Sequence, residues 1–235
     1  MKKTVFITGP SRGIGRQIAL AFSRAGYRTA LFSRSLEELN SLKEQMDGEG
    51  GESVILPGSL ENYSEVEQAI AWIEKNWGFL NILVNNAGVG GFRSLDELQP
   101  ADWDWMMNTN GRGTFFTTKA AFSLLKKTPS SLVINVESDV ARRGFDTGSL
   151  YCASKYAQEG FTQAFRAEAR KHGIRVSAIY PGLTDTTFGE SQEGADHKKE
   201  WLKPQDVART VLFVAESPPH VVIDELVIHP QCQVY

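Results

Sequence analysis

Cysteine is nearly missing from this chain: 235 residues hold only Cys152 and Cys232. Two isolated thiols make no disulfide framework, and His172, His197, His220 and His229 share no ligand spacing with them or with one another. No metal site is expected, and a reduced, cytoplasmic setting is the default. Long apolar runs are missing too. Nothing approaches the roughly 20 apolar residues of a membrane span. The run Val5 to Ile7 that follows Lys2-Lys3 stops at Gly9-Pro10, too short for a secretory signal core. Excess positive charge is likewise lacking: the net charge is −3 and the isoelectric point about 5.9, which gives no electrostatic case for nucleic acid or an anionic membrane as partner. There is no internal repeat, low-complexity tract or Gly/Ser linker. What remains is 41% hydrophobic, ample for a buried core, and a length that fits one large domain spanning residues 1–235.

Short β-branched runs alternate with amphipathic segments from end to end. The expected strands are Thr4–Thr8, Thr29–Ser33, Ser53–Leu56, Ile82–Asn85, Leu132–Val136, Arg175–Ile179 and Leu226–Ile228. Several are apolar on both faces, as strands buried between two helix layers are. Helical patterns fall near Ile14–Ala25, Leu36–Asp47, Tyr63–Asn76, Pro100–Lys126, Leu150–Lys171 and Gln205–Glu216, with Pro204 suited to a first helical turn. Such alternation predicts an α/β fold, a doubly wound parallel sheet of seven strands with helices on both faces. The polar, glycine-containing stretch 184–203 follows the sixth strand. In this architecture it falls at the carboxyl edge of the sheet, where ligands bind, and it is expected to be a substrate-covering loop.

Two motifs carry chemistry. The first, Thr8-Gly9-Pro10-Ser11-Arg12-Gly13-Ile14-Gly15, leaves a strand and opens a helix. Glycines there permit a tight turn and close backbone approach, and the helix N-terminus offers free N–H groups to a pyrophosphate. The second is Tyr151-Cys152-Ala153-Ser154-Lys155, with Ser138 thirteen residues upstream. Tyr and Lys at i, i+4 share a helix face. An ammonium there would lower a phenol pKa from about 10, towards the range useful to a general acid/base. Alone, such a pair is commonplace on solvated helices. With the glycine turn it suggests hydride chemistry: a reduced carbonyl needs a proton on its oxygen, and preorganised donors stabilise the charge that develops there.

These motifs, with Asn85-Asn86-Ala87-Gly88 after the fourth strand, Asn110, and Pro181-Gly182, resemble the short-chain dehydrogenase/reductase family over essentially the whole chain. The resemblance implies a Rossmann sheet and a soluble NAD(P)-dependent oxidoreductase that interconverts a carbonyl and a secondary alcohol. Tyr151 would be the general acid/base and Lys155 its partner; Ser138 would bind the substrate oxygen, and Asn110 would hold a water behind Lys155. The dinucleotide would run over Gly9, Ser11, Arg12, Gly13, Ile14 and Gly15, then past Ser33, Arg34 and Leu60. It would continue along Asn86, Ala87 and Gly88 to Tyr151, Lys155, Pro181, Gly182 and Thr184. A carboxylate ending the second strand would repel a 2′-phosphate. Ser33 stands there, with Arg34 next and Arg12 in the glycine turn, so NADP(H) is expected over NAD(H). The family's pairing of long helices also implies a homodimer or homotetramer.

Some positions stay open at this level. The sequence reads Gly58-Ser59-Leu60 where the family often has an Asp for the adenine. Glu137 precedes Ser138 in place of a small residue, either salt-bridged to Arg142 or Arg143 or turned away from the pocket. Those arginines either meet an acidic or phosphopantetheine substrate or are simply solvated. Cys152 lies about 100° around the helix from Tyr151 and reads as packing. Pocket candidates are Phe92, Asp139, Val140, Phe145, Leu183 and Phe188. The motifs around Arg142 and Ile223–Pro230 resemble the 3-hydroxy acid/serine dehydrogenase branch, with 3-oxoacyl carrier-protein reductases as near competitors. The alternative of another class is an NADP(H)-binding sensor that has lost turnover.

Overall fold

The structure is a computed structural model that describes residues 2–234. Seven parallel strands form one sheet: β1 (Thr4–Thr8), β2 (Arg28–Ser33), β3 (Glu52–Pro57), β4 (Ile82–Asn85), β5 (Leu132–Val136), β6 (Arg175–Pro181) and β7 (Glu225–Ile228). Their order is β3-β2-β1-β4-β5-β6-β7, the doubly wound arrangement expected. The reversal of winding falls between β1 and β4, which opens a crevice at their carboxyl ends. Inner strands β1, β4 and β5 are buried throughout, and β7 at one edge is partly exposed.

Period-two alternation divides the core between the two faces. On β1, Val5 and Ile7 join one apolar cluster and Phe6 the other. The first cluster is closed by α1 (Gly13–Arg24), α2 (Leu36–Gly48) and α7 (Pro204–Ala215), through residues such as Ile18, Leu42 and Val211. The second is closed by α3 (Tyr63–Trp77), α5 (Gly113–Lys127) and α6 (Ser149–Arg170), through Ile73, Leu125 and Phe165. Helix ends follow local chemistry. The Asn62 side chain accepts from Ser64 N to start α3, and Gly78, at φ +78°, ends it. Pro204 sits in the first turn of α7.

One expected element is divided. The span 100–126 is not a continuous α-helix: α4 (Pro100–Met106) and α5 are joined by a π-helical turn over Met107–Arg112. Asn110 causes this locally. Its amide donates to Val89 O and to Ser154 Oγ, and its carbonyl oxygen accepts from Val89 N. Holding that side chain between the β4 loop and α6 spreads the helix by one residue, as π-turns do at functional sites. Gly111 and Gly113, poor helix formers, ease the distortion.

Stretch 184–203 is also more ordered than its composition suggests. Its ends are bridged between Thr184 and Leu202, and Asp185 is bonded by Gly194 N and Lys203 Nζ. Lys198, 1% exposed, donates to Thr186 O and Ser191 Oγ.

Candidate active site

A cleft crosses the carboxyl ends of the central strands, and the glycine turn forms one end of it. Gly9 has φ +64°, and a Cβ there would stand 2.8 Å from Ala87 Cα. A Cβ on Gly15 would overlap the Gly9 carbonyl and the Asn86 amide. Neither position admits a side chain. Thr8 Oγ1 accepts from Asn86 N and Ala87 N, while Asn86 Nδ2 donates to Thr8 O and Gly9 O. Asn86 thus clamps the turn against the β4 loop. Arg12 is the N-cap of α1 and makes no side-chain cap bond, so the positive end of the helix opens towards the cleft. Further along the cleft lie Ser33, Arg34 and Leu60; Arg34 is exposed, its guanidinium 4.0 Å from the Glu61 carboxylate. Every residue expected to touch the dinucleotide lines this cleft. These residues fit a phosphorylated nucleotide: a side-chain-free cradle, an uncapped helix start and two arginines.

Ser138, Tyr151 and Lys155 line the other end of the same cleft. Ser138 follows β5; its hydroxyl lies 3.3 Å from Asp139 Oδ1 and close enough to the Tyr151 phenol to favour the ionised form. The first turns of α6 carry Tyr151 and Lys155, 8% and 3% exposed. Lys155 Nζ donates to Gln158 Oε1 at 2.9 Å. Its ammonium is pushed down to about 8 by burial, against the pull of Glu137. The Tyr151 phenol differs from expectation. Burial raises its pKa well above the ordinary value, Asp139 adds to the rise, and Ser138 opposes it. Desolvation therefore dominates over any help from the lysine.

Phe92, Phe145 and Phe188 gather beside Tyr151. Phe92 lies 5.6 Å from both Phe145 and Tyr151, and Phe188 lies 5.4 Å from Tyr151. Val140 and Cys152 pack with Tyr151 and Met106 beneath them, so Cys152 is a packing residue. Leu183 is exposed nearby.

Three expectations need correction or refinement. Glu137 is neither salt-bridged to an arginine nor turned away. It lines the cleft, 5% exposed, with Oε1 accepting from Thr162 Oγ1 at 2.6 Å. Burial pushes its carboxyl up to about 8. The arginines are engaged elsewhere. Arg142 pairs with Glu225 and stacks over the Tyr180 ring, while Arg143 grips Asp139 Oδ2 at 2.6 Å. Asn110 is fully buried outside the cleft lining, its side-chain amide committed to Val89 and Ser154.

Sequence reasoning passed over Gln158 and Gln233. Gln158 stands three residues after Lys155, a spacing that places them together on α6, so a signal existed. Gln233 had none. It comes from the carboxyl-terminal tail, donates to Asp139 Oδ2 at 2.7 Å and accepts from Leu183 N at 2.9 Å.

The short chain dehydrogenase family model matches residues 3–196, and the chain belongs to that family. Sepiapterin reductase from Chlorobaculum tepidum is 32% identical over 98% of this chain and 97% of its own. Among solved structures, an alcohol dehydrogenase from the archaeon Thermococcus sibiricus, complexed with 5-hydroxy-NADP, is similar with a TM-score of 0.95. It is 32% identical, covering 100% of this chain and 99% of that one. The closed form of a serine dehydrogenase complexed with NADP+ has a TM-score of 0.89 and 29% identity, over 99% of this chain and 96% of that one. Among the described residues, no helix is long and apolar enough to cross a membrane.

Proposed function

We propose that this protein is a single-domain NADP(H)-dependent oxidoreductase that interconverts a carbonyl and a secondary alcohol. One observation carries the reading: Ser138, Tyr151 and Lys155 line the cleft that begins at the glycine turn. When bound, the nicotinamide cofactor would supply or accept the hydride. The rest falls to the chain's own residues. The Ser138 and Tyr151 hydroxyls, which line the same end of the cleft, would hold the substrate oxygen. Tyr151 Oη would give its proton to that oxygen as negative charge develops there, and take it back in the oxidative direction. Lys155, charged, would stabilise the phenolate left behind. Arg12 and Arg34 would meet a 2′-phosphate through charge-assisted hydrogen bonds, in keeping with the NADP-type ligands of two similar structures.

Substrate choice would be set by the aromatic wall. Phe92 and Phe145 are part-exposed beside Tyr151, and both site arginines are occupied by carboxylates. That favours a largely apolar or planar carbonyl over a free anionic one. Residues 184–203, which bring Thr186, Thr187 and Phe188 to the cleft, would cover the substrate. Exposed Phe115 on α5 and Tyr156 on α6 would lie in a homodimeric or homotetrameric contact.

The test is NADPH oxidation against aryl ketones, dicarbonyls, short oxo acids and oxoacyl thioesters, beside fluorescence titration with NADPH and NADH. Turnover of at least one apolar carbonyl and tighter binding of NADPH are expected. Tight NADPH binding with no reduction across the panel would mark a nucleotide sensor instead.

A further inference from the structure

Glu137 is a buried carboxyl for which the reaction outlined above has no use. It follows β5, adjoins Ser138 and lines the cleft. Its Oε2 is buried with no donor group facing it, and the carboxyl of Glu159 stands against it. Two carboxyls in contact cannot both carry charge, so a proton must lie between them. Glu159 is the better-supported anion. It accepts from Tyr180 Oη at 2.6 Å and from Gln163 Nε2, and the Arg142 guanidinium stands 3.6 Å away. The proton therefore resides on Glu137. Its other neighbours are the Thr162 hydroxyl, itself bonded by Asn135 of β5, and Lys155 one helical turn before Glu159. Tyr180 of β6, which donates to Glu159, stays neutral. The charged and titratable groups around Glu137 are thus Lys155, Glu159, Tyr180 and, behind Glu159, Arg142. Lys155 has no carboxylate salt bridge. Its bonding partners are the Gln158 amide and Val136 O.

We propose that Glu137 is a positioning residue that governs the charge of Lys155, using the proton it shares with Glu159. At neutral pH the shared proton keeps Glu137 uncharged, so the cleft does not hold a second anion. As pH rises the proton leaves, and the new carboxylate holds Lys155 in its ammonium form to a higher pH than burial alone would permit. The consequence for turnover rests on the reductase reading; the consequence for Lys155 does not.

The test is carbon NMR of protein labelled at the lysine ε-carbon, with the Lys155 signal assigned by its loss in Lys155→Met and no ligand added. Glu137→Gln keeps the shape and removes the ionisable group. The Lys155 midpoint should fall by about one pH unit, the smaller end of the effect of a nearby opposite charge. Glu159→Gln removes the like charge that keeps Glu137 protonated, and the midpoint should move upward. Opposite directions separate this from general damage, which would move neither midpoint in a defined sense. Each variant decides alone if the other fails to fold. A midpoint unchanged, or moved the same way in both, overturns the proposal. The alkaline limb of NADPH-dependent turnover should follow the two shifts. Shifts as stated in a protein that reduces no carbonyl would sink the reductase reading and leave the role of Glu137 standing.

Discussion

The two ends of the cleft are built in opposite ways. At the β1–β2 end the surface is backbone: Gly9 and Gly15 exclude side chains, and the exposed Arg34 reaches in from outside. At the β5–α6 end the polar side chains are buried and already bonded. Asn110, Gln158 and Thr162 are wholly buried, and Lys155, Glu137 and Glu159 nearly so. The first end would recognise a ligand by leaving room and offering N–H groups. The second fixes charges in a low-dielectric setting, where each unpaired group is costly and each paired one is rigid. Exposed cations should therefore be replaceable at a graded cost, whereas changes among the buried groups should act on chemistry and hardly on nucleotide affinity.

The sharpest way to break this contrast is Tyr151→Phe. Turnover should fall by about 10²–10⁴, the range for a lost general acid/base, while the NADPH dissociation constant from fluorescence titration stays within about threefold. A matching loss of affinity would mean that the two ends are one unit. Arg34→Ala probes the open end. It should lower the preference for NADPH over NADH by about tenfold to hundredfold, as one charge-assisted contact allows, with little change in rate at saturating NADPH. The smallest effect is expected for Gln233→Ala, which loses its bonds to Asp139 and Leu183. Steady-state kinetics should show a severalfold rise in KM for the carbonyl, with NADPH affinity intact.

Local pattern was enough for the strands and for both motifs, because each rests on short-range rules. The continuous apolar run of β1, the glycine turn and the i, i+4 pair on α6 all lie within a few residues of themselves. What escaped was set at long range. The π-turn at Asn110 arises from a β4 loop 21 residues earlier and from Ser154, 44 residues later. The partners of Glu137 come from α6, and Gln233 reaches Asp139 across 94 positions. The ordering of 184–203 depends on Lys198, a surface residue by composition and a buried tether in fact. The expectation that Lys155 would lower the Tyr151 pKa failed for a related reason: spacing gives adjacency, but the extent of burial, which dominates here, depends on everything packed above.

The wide turn over Met107–Arg112 has a cost of its own. It contains one residue more than a regular helix would use, so a deletion at Gly111 would let α4 and α5 fuse into a smooth rod with better intrinsic helicity. Such a shortened chain would swing the Asn110 amide off Val89 and Ser154 and loosen the wall behind Lys155, and the buried groups left unpaired should lower its melting temperature despite the better helix. The irregularity thus works like a spacer washer, forfeiting some helical regularity to keep two distant parts of the chain at a fixed separation.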